Sequence, residues 1–120
     1  MRPEQRLRKR SEFQMVYSRG VRVPGRFLVV FGLARGDGPC RLGITATRKI
    51  GSAVVRNRAR RRIRELFRRQ PAGRLFSGDV VVNVRRACAE VAWAELEKDF
   101  TQCLDRLLGK VSGSGSPSGC

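Results

Sequence analysis

Apolar positions between Ser52 and Arg69 recur at Val55, Ala59, Ile63, Leu66 and Phe67, which at ~100° per residue fall on one stripe of a helix. Asn57, Arg60, Arg61, Arg64 and Arg68 fall on the opposite side, and Arg56, Arg58, Arg62 and Arg69 on the flanks. The spacing predicts a helix opened by Gly51-Ser52 and closed by Pro71 and Gly73. A second helical period, Val91, Leu96, Phe100, Leu104 and Leu107, predicts a helix from Val91 to Leu108. Near the start, Ser11 is placed to cap a short helix with Gln14 at the reciprocal position, and Gly20 to end it; Phe13 and Tyr17 then share a face. The strand-like segments are Val21 to Val23, then Arg26 to Ala34 with Phe27, Val29 and Phe31 on one side, Arg41 to Thr47, and Asp79 to Arg85. In the third of the four, Leu42, Ile44 and Ala46 face one way and Gly43, Thr45 and Thr47 the other. The pattern predicts a single α+β domain over residues 11–108, behind a basic arm of residues 1–10. From Gly109 the apolar period stops, which predicts a flexible Gly/Ser/Pro tail over 109–120.

Charge sharpens that outline. The 120 residues hold 26 Lys and Arg against 10 Asp and Glu, a net charge of +16, yet 41% of them are apolar. That is enough for a small core, which excludes a disordered polybasic tail. Like charges at helical i,i+4 spacing repel, and within the Arg-rich helix only Glu65 offsets them. A polyanionic partner, nucleic acid above all, accounts for such a face better than a solvated surface of mixed sign. The longest apolar run, Phe27 to Ala34, is too short to span a bilayer, and the basic N-terminus has no apolar segment behind it. The expected location is cytoplasmic, with no membrane partner.

Candidate chemistry is sparse. There is no histidine, so no Ser-His-Asp or Cys-His arrangement can form. Cys40, Cys88, Cys103 and Cys120 lack C-x-x-C spacing and read as reduced thiols. Glu90, Glu95, Glu97, Asp99 and Asp105 read as the solvated face of one helix rather than a metal site. No catalytic and no metal-ligating residue is expected in the polypeptide.

The run KIGSAVVRNRARRRIRELF, from Lys49 to Phe67, resembles the signature of the bacterial ribonuclease P protein subunit, whose hallmark is an Arg-Asn-Arg helix. The segments LRKRSEFQMVYSRG and RLGITATRK upstream fit the same family, so the resemblance covers roughly Leu7 to Leu108. It implies a small two-layer α+β sandwich of the ribosomal-protein-S5-domain-2-like kind, with about four strands and three helices. In it the Arg-rich helix forms a left-handed βαβ crossover, against the usual right-handed preference. It also implies a function: binding the catalytic RNA of ribonuclease P and the 5′ leader of precursor tRNA, and assisting endonucleolytic removal of that leader. The cleavage would reside in the RNA, with Mg2+ held chiefly by the RNA, no organic cofactor, and no obligatory protein partner.

The resemblance further implies which residues act. Arg56, Asn57, Arg58, Arg60, Arg61 and Arg64 would dock on RNA phosphates and help hold metal near the junction, a task suited to the planar, permanently charged guanidinium; Arg68 continues that face. Phe13, Tyr17 and Phe31 would line a leader cleft, because every unstacked base offers a π-face to an aromatic ring. Thr45 and Thr47 would add hydroxyls there, and Arg48 and Lys49 nearby charge. The principal alternative is a structural ribosomal RNA-binding protein, which needs the basic helix but no aromatic cleft. A self-sufficient nuclease would need a carboxylate cluster for two metals.

Overall fold

The computed structural model describes residues 6–36, 38, 40–70 and 77–115, with the backbone alone at 112–115. Pro71, Gly73 and Cys120, to which the sequence assigned a helix end and a thiol, lie outside the described residues. The elements run α1 (Arg10–Arg19), β1 (Val21–Pro24), β2 (Leu28–Ala34), β3 (Arg41–Thr45), α2 (Ala53–Arg68), β4 (Gly78–Val84), α3 (Ala87–Glu90) and α4 (Trp93–Gly115), with a one-turn 3-10 helix at Arg48–Ile50 before α2. One sheet holds the strands in the order β1-β2-β4-β3. β1 and β4 are antiparallel to β2, whereas β3 and β4 are parallel. Neighbouring parallel strands need a crossover, and α2 supplies it.

Alternation along the strands divides the apolar residues between two faces. Leu28, Val30, Leu42, Val80, Val82 and Val84 pack with Ala59, Ile63, Leu66 and Phe67 of α2 and with Leu96, Phe100, Leu104 and Leu107 of α4. On the other face, Val81 meets α1 through Val16, with Leu7, Phe13, Tyr17, Phe31 and Leu33 around them. α1 covers only part of this second face. Phe13, Tyr17, Phe31 and Leu33 there are only partly buried, which makes this face a candidate site.

Several boundaries differ from the sequence expectation, each for a local reason. α1 starts two residues earlier than a Ser11 cap predicts: Lys9 is the N-cap, and Glu12 rather than Gln14 reaches back, accepting from the backbone N–H groups of Lys9 and Arg8 at 3.0 and 3.1 Å. Phe27 is not in the strand. The backbone turns there because the buried Asp99 accepts from the N–H groups of Arg26 and Phe27 at 3.0 and 2.9 Å, so the Phe27 ring packs against the α2/α4 core. Asp99 is thus no member of a solvated face, and Glu90 belongs to α3, paired with Arg86 at 2.9 Å. β3 stops at Thr45, leaving Thr47 at the head of the 3-10 helix. α4 continues through Gly109 to Gly115, held on the core by Val111. The arm is also tied down from Arg6 onward: Arg6 bridges to Leu42, the Leu7 N–H donates to the Leu42 carbonyl oxygen at 3.0 Å, and the Leu7 side chain is buried.

Candidate nucleic-acid interface

Two surfaces carry the chemistry, and α2 forms the first. Ser52 caps it, its hydroxyl accepting from the Val55 N–H at 3.4 Å. The preceding Gly51 has φ of 147°, a conformation for which glycine is suited. The predicted stripe is the packed one: Ala59, Ile63, Leu66 and Phe67 are buried, and Val55 lies against them. Asn57, Arg58, Arg61, Arg64 and Arg68 are exposed, as are Arg48 and Lys49 in the 3-10 helix, while Arg56 and Arg60 are half-buried. Arg60 donates to Asn57 Oδ1 at 3.3 Å. Arg56 Nε is the only enclosed side-chain nitrogen or oxygen without a partner among the described residues.

Not every arginine of this helix is free for phosphate. Arg62 donates Nη1 to the carbonyl oxygens of Cys88 and Val91, at 3.1 and 2.6 Å, closing the end of α3. Arg68 and Arg69 share Glu65, whose carboxyl their hydrogen bonds hold below the usual carboxylate range, and Arg69 lies over the Trp93 ring at 5.3 Å. Arg58, Arg61 and Arg64 keep the exposed face open.

Where α2 approaches the arm, Arg6 and Arg8 face Arg60 and Arg64 across a cleft floored by Gly43 and Phe13. The lining contains no acid. Partial burial, then the charges of Arg6 and Arg60, push the Arg64 pKa down, the response of a cation crowded by cations. An oxyanion entering this cleft would relieve that crowding. Arg6 and Arg8 were missed in the sequence, because a basic arm looks the same whether it dangles or is pinned to β3.

The second surface lies between α1 and the sheet. Phe13 fits only because residue 43 is glycine: a Cβ there would come within 2.7 Å of the Phe13 ring. Tyr17 and Phe31 meet edge to face, with centroids 4.9 Å apart and planes at 85°. The Tyr17 hydroxyl lies 2.7 Å from both Thr45 Oγ1 and Asn83 Oδ1. The structure thereby brings together Phe13, Tyr17, Phe31 and Thr45; Thr47 stands outside the strand, exposed and apart from this cluster. Asn83 is the residue that sequence reasoning missed. Its alternation with Val82 and Val84 marks it as facing the other side, but only the β3–β4 pairing, Thr45 opposite Asn83, puts it beside the tyrosine.

At the far end of the same face, Arg41 grips Asp79 through Nε and Nη2 at 2.8 and 3.0 Å and reaches Glu12 of α1 at 2.9 Å, while Arg35 also pairs with Asp79. Bidentate guanidinium–carboxylate geometry makes this a strong clamp. The Glu12 carboxyl is held below its ordinary value, chiefly by the Lys9 N–H and further by those of Arg8 and the Arg41 guanidinium, against a desolvation cost. The clamp fixes α1 over the sheet, and with it the position of Tyr17. Cys40, Cys88 and Cys103 are buried and free; burial pushes their thiols up to about 12, 12 and 11. Among the described residues no three His, Cys, Asp or Glu side chains converge as metal ligands, and no helix is long and apolar enough to cross a membrane.

The arrangement recurs in known proteins. The Ribonuclease P family profile matches residues 1–108. The chain is 36% identical over 119 residues to the ribonuclease P protein component of Geobacillus kaustophilus, covering 98% of each. It is 39% identical over 118 residues to that of Acidothermus cellulolyticus, covering 95% of this chain and 93% of the other. Its fold superposes on the RNase P protein of Staphylococcus aureus with a TM-score of 0.77 at 29% identity, over 89% of this chain and 96% of that one. For the Thermotoga maritima protein the values are 0.74, 32%, 84% and 96%. With a mixed four-stranded sheet crossed over by an Arg-Asn-Arg helix, and a match along nearly its whole length, the chain belongs to the ribonuclease P protein family.

Proposed function

We propose that this protein is the subunit through which ribonuclease P holds both its catalytic RNA and the 5′ leader of precursor tRNA while the RNA carries out the cleavage. The observation that carries this reading is the sharing of Phe13: the ring floors the arginine cleft beside Arg60 and Arg64 and also belongs to the aromatic cluster with Tyr17 and Phe31. RNA bound along α2 and a single strand bound beside α1 therefore lie on one continuous surface. Arg58, Arg61 and Arg64 supply phosphate contacts, and Tyr17 and Phe31 a platform for unstacked bases of varied sequence.

The polypeptide's part is binding and electrostatics. It has no histidine, and the two buried carboxylates among the described residues, Asp79 and Asp99, are committed to Arg41 and Arg35 and to the Arg26 and Phe27 N–H groups. That donor set favours Mg2+ held chiefly by the RNA, supplying the metal-activated water and leaving-group stabilisation of phosphodiester hydrolysis. A cytoplasmic location follows from the same reading. The structural ribosomal alternative is not favoured, since it leaves the aromatic face without a role.

Tyr17→Ala in the reconstituted holoenzyme tests the proposal. Stacking is worth ~1 to 3 kcal/mol per base, so affinity for precursor tRNA should fall roughly 5- to 150-fold toward that of mature tRNA, while assembly with the catalytic RNA persists. An unchanged preference for precursor in a folded Tyr17→Ala holoenzyme would exclude the leader cleft.

A further inference from the structure

The strand register sets the residues of the α1 face in two rows that cross the sheet. One row joins Gly43, Val81, Phe31 and Arg22, each opposite the next on the neighbouring strand. Beside it run Thr45, Asn83, Val29 and Pro24. The first row starts at the floor of the arginine cleft, where Gly43 meets Phe13, and ends at the β1 rim, three strand spacings or roughly 14 Å away. Val16 of α1 covers its middle at Val81, whereas in the second row Thr45 and Asn83 are half-buried and Pro24 is exposed. Val21 and Val23 pack toward α4, so alternation puts Arg22 on the Phe31 side. Arg22 is exposed. The carboxylates on this side of the sheet, Glu12 and Asp79, are held by Arg41 and Arg35, and Arg22 has no ion pair among the described residues. Nor does its guanidinium lie over a described ring, as those of Arg26 and Arg69 do.

We propose that Arg22 is a second anchor for the leader: it takes a backbone phosphate beyond the bases stacked on Tyr17 and Phe31, so that the single strand crosses the sheet from the β3 side to the β1 rim. This rests on the leader-cleft reading above. Base and phosphate alternate along a single strand, and a surface that holds one combines aromatic rings with cations that track the backbone. Here the cleft of Arg60 and Arg64 lies at one end, the rings in the middle and Arg22 at the other end. Side chains directly opposite on paired strands have Cβ atoms ~4.5 to 5.5 Å apart, so a base on Phe31 brings its own phosphate within reach of the long Arg22 side chain. The guanidinium offers two parallel N–H donors to phosphate oxygens and stays charged. With no acid holding it, Arg22 gives up no partner on binding. Such a contact reads the backbone and carries no base preference; what it senses is whether the leader is long enough to arrive.

The test uses holoenzyme reconstituted from the full chain and its catalytic RNA. Affinity is measured for precursor tRNAs whose leaders grow one nucleotide at a time, each across a range of salt. Arg22→Gln should match wild type on mature tRNA and on short leaders, and bind up to about fivefold more weakly once the leader reaches the β1 rim. On those long leaders alone, its slope of log affinity against log salt should be shallower by about 0.7, the share of one single-strand phosphate. Arg22→Lys keeps the charge and should restore the slope. Arg86→Gln, which removes an exposed arginine paired with Glu90, should show no dependence on leader length. A wild-type slope for Arg22→Gln on long leaders would overturn the proposal. So would an equal loss on mature tRNA, which puts the arginine on the tRNA body or the catalytic RNA, or a loss of the same form in Arg86→Gln, which reduces it to net charge. Should Tyr17→Ala lower precursor affinity while Arg22→Gln changes nothing at any leader length, the anchor fails and the leader cleft stands. Should both variants bind every precursor like wild type, both fail.

Discussion

Arg62 Nη1 lies 2.6 Å from the carbonyl oxygen of Val91, and the same nitrogen serves Cys88. One arginine in the middle of the arginine-rich helix thus closes the end of α3 and is not free for phosphate. Hydrogen bonds from a charged donor are worth ~1.5 to 3 kcal/mol each. Arg62→Ala should therefore lower unfolding stability by about 2 kcal/mol and leave the salt dependence of RNA binding unchanged. Chemical denaturation and a salt titration on the same variant check both halves; a flatter salt slope at unchanged stability would reverse the assignment.

Arg58, Arg61 and Arg64 should behave in the opposite way. They are exposed, and each phosphate deprived of its guanidinium takes roughly 0.7 to 0.9 off the slope of log affinity against log salt. The triple alanine variant should flatten that slope by about 2 to 3 while keeping wild-type stability. Retention of the full slope in a folded variant would place the RNA on another face.

Ile63 is fully enclosed between α2 and the sheet. A carboxyl group there has no partner, and whether it stays charged or takes up a proton, burying it unpaired costs several kcal/mol of the ~5 to 15 kcal/mol that a domain has in reserve. Ile63→Asp should give a chain without the cooperative unfolding transition of the wild type, whereas a well-dispersed amide spectrum would show the helix to be turned the other way.

Glu12 makes stability depend on acid. Its carboxyl is held below the ordinary value of 4.5, first by the Lys9 N–H and then by the Arg8 N–H and Arg41. A lowered folded pKa means that the contribution is fully present above the unfolded value and is lost as pH falls through the folded one. The stability difference between wild type and Glu12→Gln should be largest at neutral pH and shrink below about pH 4.5. Urea midpoints across that range measure it, and a pH-independent difference would remove Glu12 from the clamp.

What the sequence made legible was periodic. The α2 stripe could be read because 3.6-residue spacing separates Ala59 and Ile63 from Arg58 and Arg61 without reference to any other element, and the α4 core residues were legible for the same reason. Contacts made across long separations could not be read. Asp99 looks solvated until β1 and β2 turn against α4, and Phe27 looks like a strand residue until Asp99 takes its N–H. Asn83 acquires its meaning only when Thr45 is set opposite it. Helix ends misled in both directions: Glu12 outcompeted Gln14 because Arg41 also needed it, and α4 outran its apolar period because Val111 still reaches the core.

The pinning of Leu7 to Leu42 also bears on how this protein behaves before it meets RNA. A four-stranded sheet has two rims, each a row of donors and acceptors on which a second chain could extend a ladder. On the β3 rim the bridge at Arg6 and Leu7 occupies part of that row and brings arginine with it. On the β1 rim, Pro24 has no N–H to offer and Arg22 is exposed. Positive charge thus also stands at both borders of this sheet, where edge-to-edge joining of identical chains would set arginine against arginine.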